Sequence, residues 1–123
     1  GWTLADPIIG AGIGLFIVPR TWVLLRQAIH ILMEGTPPQV DVGLLERKLL
    51  GIPGVAAVHD LHVWTITSGV DAMSCHLVVA DMAQARAILV RANQAMAEGF
   101  GLTHTTIQVE DQTLREAEGT SRL

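Results

Sequence analysis

The spacing of apolar positions changes along the chain, and each change marks an element. From Trp2 to Met33 the sequence WTLADPIIGAGIGLFIVPRTWVLLRQAIHILM is apolar on every side, with no polar helical face. Its uncharged stretch, Pro7 to Pro19, falls short of the ~20 residues that span a bilayer, but continuing to Leu25 with Arg20 admitted gives a span. Trp2 and Trp22 stand about 30 Å apart at ~1.5 Å per residue, so they resemble an aromatic belt at both boundaries. Arg20 and Arg26 lie beyond the apolar stretch, and the positive-inside rule puts that end in the cytoplasm. Asp6-Pro7 makes a helix start, Asp as N-cap and Pro in the first turn. A buried helix of a soluble protein is the alternative. Gly10, Gly12 and Gly14 would weaken it by ~1 kcal/mol each in water, whereas in a membrane Gly10 and Gly14 form a GxxxG that admits a neighbouring helix. Pro19 kinks either kind of helix. Thr36-Pro37-Pro38 ends it, because a residue before proline avoids the α region.

Beyond that break the periodicities alternate. Asp41 caps a short helix to Leu50, with Val42, Leu45 and Leu49 on one face, and Gly51-Ile52-Pro53-Gly54 stops it. Val55–Ile66 is rich in β-branched residues and predicts a strand, Thr67 to Asp71 a turn, and Ala72–Ala80 a second strand of a hairpin. Asp81 caps an amphipathic helix with Ala85, Ile88, Leu89, Ala92 and Met96 on its apolar stripe, ending with Gly99 at C′. Thr103–Val109 alternates as a third strand. The expected fold is α+β: an N-terminal transmembrane helix (1–35), an αββαβ domain (36–111) and a polar tail (112–123). The helical crossover makes the third strand parallel to the second, giving a mixed three-stranded sheet with two helices on one face. So small a sheet leaves its other face bare, which predicts dimerisation or a partner.

Composition narrows the function. The 123 residues carry a formal charge of −4, only 16% are charged and 50% are apolar, which excludes a disordered or linker segment. An acidic chain lacks the basic face that nucleic acid requires. A single cysteine excludes an internal disulfide framework and any CxxC site. No signal peptide is expected, and a first residue of Gly suggests a fragment of a longer protein.

The histidines carry the chemistry. His104, Thr106, Gln108 and Glu110 share one face of the third strand, opposite the apolar Ile107 and Val109. In the hairpin, any register that pairs His76 with an odd-numbered residue puts His59 on its face, while His62 falls on the other face near Cys75 and Trp64. Two imidazoles and a carboxylate suit Zn²⁺ at ~2.0–2.2 Å, although no HExxH or CxxC spacing supports the set. His104 and Glu110 stand ~20 Å apart along an extended strand, so a shared site needs the start of the segment to curl back. Cys75 reads as a small core residue, His62 and Trp64 as structural, and His30 and Glu34 as a helix end at the membrane exit.

The string VHDLHVWTI followed by CHLVV and HTTIQVE resembles the cytoplasmic domain of the cation diffusion facilitator family of zinc and heavy-metal exporters. Upstream, ADPIIG…LFI…WVLLRQAIHILMEGTP is similar to the last transmembrane helix of that family and its exit. The resemblance implies homodimeric, proton-coupled antiporters of Zn²⁺, Cd²⁺ or Co²⁺, with a metallochaperone-like cytoplasmic domain whose metal binding tightens the dimer. It also implies metal ligands at His59, His76, His104 and Glu110, with His104 before the strand proper. Gln108 stands where some bacterial members have His, which puts a second ion in doubt. The family's transport-site His and Asp lie on earlier helices, outside this chain.

Three functions compete on these grounds. The first is an integral-membrane exporter fragment whose cytoplasmic domain senses a divalent cation, the bound dication relieving repulsion between acidic protomers. The second is a ferredoxin-like dimerisation module without metal. The third, an enzyme with His59 as general base, lacks a nucleophile–base pair and a Gly-rich phosphate loop, so no enzyme is expected.

Overall fold

A computed structural model describes residues 4–119, in two units, one ending at Met33 and the other beginning at Glu34. The first is helix α1 (Ala5–Leu32), long and apolar enough to cross a membrane, with no buried side chain. Its 28 residues extend about 42 Å, more than the ~30 Å of a hydrocarbon core. Leu4, not Asp6, is the N-cap; Asp6 lies inside the first turn, where its charge suits the positive end of the helix dipole. The helix runs on through Pro19 and exposes Trp22, while Trp2 lies outside the described residues.

In the second unit, α2 (Val42–Leu50) begins where the Asp41 side chain accepts from the Leu44 amide. Strands β1 (Val55–Thr67) and β2 (Val70–Val79) form an antiparallel hairpin turned by Ser68 and Gly69. After Asp81, which caps a single 3₁₀ turn, α3 (Ala85–Phe100) crosses over to β3 (His104–Glu110), parallel to β2. The sheet order is β1-β2-β3, mixed as the pattern predicts.

One face of the sheet is closed. Leu45 and Leu49 from α2, and Ile88, Ala92 and Met96 from α3, pack against Val63, Met73, Cys75, Leu77 and Val79. Both helices therefore cover the same side, and their apolar stripes meet those of the strands in the core. Gly54 permits the closest approach. Its φ of +97° suits only glycine, and a Cβ there would lie 2.8 Å from Ile88 Cδ1.

Two local expectations change. Gly99 lies inside α3, and the left-handed terminus falls at Gly101 (φ +69°), whose amide reaches Ala97 O. The expected polar tail contains helix α4 (Gln112–Glu118), started by Asp111 accepting from the Leu114 amide. A good cap and an adjoining β2 suffice for two turns despite few apolar residues. Residues 120–123 lie outside the described residues.

Candidate metal centre

The open face of the sheet is built by register. Pairing sets His59 opposite His76, His76 opposite Gln108, and Val78 opposite Glu110. Cross-strand partners share a face, so His59, His76 and Glu110 all project away from the helices. The two imidazoles meet edge to face, centroids 4.9 Å apart at 65°. Glu110 closes the group. Its Oε1 lies 2.5 Å from His59 Nε2 and 3.3 Å from His76 Nδ1. One donor atom from each residue falls within 4.8 Å of the others.

Glu110 is fully buried although charged, and its Oε2 is enclosed without a hydrogen-bond partner among the described residues. An enclosed carboxylate needs positive charge beside it. The His59 contact makes the same demand. A neutral imidazole lone pair cannot face a carboxylate oxygen at 2.5 Å unless a proton or a cation lies between them. A tetrahedral zinc site separates its N and O donors by about 3.4 Å, which the His76–Glu110 edge already matches. The His59–Glu110 edge is shorter than a tetrahedral donor pair and than an ordinary N–H···O hydrogen bond.

His104 is not brought to this group. It is the first residue of β3, within the strand rather than before it, exposed opposite Ala72 at the end of the strand remote from Glu110. His62 also departs from the sequence reading. It pairs with Ser74, hence on the same face as His59, because β1 carries one extra residue between His59 and His62. That bulge inverts the parity on which the opposite assignment rested. His62 is exposed and lines, with Trp64, Ser74 and Glu34, a cleft of about 450 Å³. Cys75 lies in the core, where burial pushes its thiol from an ordinary 9.0 up to about 12. Sequence reasoning overlooked Asp60, whose Oδ2 is 3.3 Å from His59 Nδ1; the available signal was an Asp directly after a candidate ligand.

Comparison with known proteins gives the family of the chain. The chain is 42% identical over 112 residues to the metal cation efflux system protein CzcD of Cupriavidus metallidurans, covering 89% of this chain and 35% of that protein. It is 39% identical over 115 residues to the cadmium, cobalt and zinc/H(+)-K(+) antiporter of Bacillus subtilis, covering 91% of this chain and 37% of the relative. The chain thus spans about a third of the length of these curated relatives. Among solved structures, the metal-bound C-terminal domain of the C. metallidurans CzcD transporter superposes with a TM-score of 0.53 at 40% identity, over 58% of this chain and 99% of that one. Residues 37–112 match the family model for the cytoplasmic domain of cation efflux proteins, so the chain belongs to the cation efflux family and carries that domain after an apolar helix.

Proposed function

We propose that the chain is the C-terminal part of a proton-coupled divalent-cation efflux transporter, with α1 in the bilayer and the sheet domain in the cytoplasm. Its cytoplasmic domain binds Zn²⁺, or Cd²⁺ or Co²⁺, through His59, His76 and Glu110, and this binding favours a homodimer that regulates transport. The observation that carries the reading is the buried Glu110 carboxylate, one oxygen against two imidazoles and the other without a hydrogen-bond partner among the described residues. A divalent ion supplies the positive charge that this enclosed oxygen pair requires. Three protein ligands leave a tetrahedral ion one further position, for water or a partner's side chain. His104 is left out of the set, because β3 is straight enough to pair residue for residue with β2 from His104 to Glu110.

Dimerisation finds support in the sheet itself, whose second face has neither α2 nor α3 on it. The names of the relatives agree with metal efflux, and the matching solved domain of CzcD is metal-bound. A dimerisation module without metal leaves the enclosed carboxylate without a purpose.

Calorimetry of Zn²⁺ into the full chain in detergent tests the assignment, with sedimentation following the dimer. His59→Ala combined with His76→Ala is expected to lower affinity at least a hundredfold and to abolish any zinc-dependent gain in dimer. Unchanged affinity in that variant sinks the ligand set.

A further inference from the structure

We infer that Asp60 is a positioning residue for the metal centre, holding the His59 ring so that Nε2, and not Nδ1, is presented to the ion; the inference rests on the ligand set proposed above. Asp60 lies in the β1 bulge, between the pairs His59–His76 and His62–Ser74, with φ +48°. Apart from Glu34 (φ +51°), it is the one described non-glycine residue in the left-handed region. Glycine adopts that conformation without steric conflict, whereas a side chain resists it, although Asp and Asn tolerate it better than most. The backbone conformation alone therefore favours glycine, and something else must favour the carboxylate.

The geometry supplies it. Asp60 Oδ2 lies 3.3 Å from His59 Nδ1, while Nε2 of the same ring faces Glu110. The two acidic residues thus hold opposite nitrogens of one imidazole. A carboxylate beside Nδ1 favours a proton on that nitrogen and fixes the ring plane, so that Nε2 offers its lone pair to an ion held between it and Glu110. The bulge is what makes this possible. In an unbroken strand the residue after His59 would project to the core face, away from the ring. Asp60 instead keeps a side chain 36% exposed beside an imidazole 24% exposed. It occupies the edge of the ring away from Glu110, so it orients the ligand without joining the ligand group.

A pair of substitutions in the full chain tests this. Asp60→Gly relieves the backbone and removes the carboxylate; Asp60→Asn keeps a side chain that tolerates the bulge and an acceptor oxygen, without the charge. The inference expects Asp60→Gly to raise the melting temperature of the metal-free protein and to weaken Zn²⁺ binding about 10- to 100-fold. Asp60→Asn is expected to fall between it and the wild type in affinity. Nitrogen NMR of the Zn²⁺-loaded chain should show His59 bound through Nε2 with Nδ1 protonated in the wild type, and a mixture of Nε2 and Nδ1 ligation in Asp60→Gly. Zinc affinity in Asp60→Gly equal to wild type, with His59→Ala still impaired, overturns this inference and leaves the ligand set standing. A wild-type chain that binds no Zn²⁺ overturns both.

Discussion

The two faces of the sheet are made from the same strands and obey opposite rules. The helix-covered face is filled by Met73, Cys75, Leu77 and Val79, each at most 2% exposed, so its energy comes from area removed from water. The other face collects His59, His62, His76, Gln108 and Glu110, and buries a charge that burial alone disfavours. The closed face holds the fold together, and the open one spends part of that stability on keeping a carboxylate out of water.

The sharpest test of this contrast is Leu77→Ala against Thr106→Ala. Leu77 is fully buried and its truncation leaves a cavity, so chemical denaturation should show a loss of about 2–5 kcal/mol. Thr106 is exposed on the open face, and its truncation should stay within about 0.5 kcal/mol. Comparable losses would mean that the open face is structural too.

Cys75 offers a smaller and pH-dependent effect on the closed face. Its folded thiol titrates near 12 and its unfolded one near 9.0, so the folded state holds the proton more tightly. The stability tied to that proton is fully present below about pH 9 and declines as pH rises towards 12, by at most about 1.4 kcal/mol per unit. Denaturation midpoints across that window, with Cys75→Ala as the variant that removes the slope, measure it. At pH 8 iodoacetamide should label the chain only after unfolding, because the thiolate is the reactive form.

The smallest expected change comes from His104→Ala. An exposed imidazole at the far end of β3 should leave both stability and zinc affinity unchanged within error. A tenfold loss of affinity would extend the metal centre along the whole strand.

How much of this was legible in sequence differs between the two edge strands. β3 alternates without interruption, so the shared face of His104, Thr106, Gln108 and Glu110 follows from parity alone. A face shared by His59 and His76 follows for any register that pairs His76 with an odd-numbered residue, and the observed register, His59 opposite His76, is one of these. β1 breaks its register between Val55 and Ala57, between His59 and His62, and between Thr65 and Thr67. No apolar pattern announces an inserted residue, so His62 was assigned to the wrong face. The distance between His104 and Glu110 along an extended strand is an obstacle to a shared site, while the family resemblance implies ligands at both; the structure holds them at opposite ends of β3. Helix α4 was hidden for another reason: residues 112–123 read as a polar tail, although an Asp at 111, three residues before a leucine amide, is also a helix start. The elements and the polar cluster thus followed from alternation and capping, while the exact membership of the cluster depended on one backbone irregularity.

The irregularities of β1 also bear on how copies of the domain can meet. A 13-residue strand at the margin of a sheet offers a row of free amides and carbonyls that invites another chain to zip alongside. Three kinks in that row spoil its repeat, so a second strand finds no continuous ladder to extend. Runaway strand addition is thus blocked by irregularities of the same kind as the one that holds Asp60 in the left-handed region.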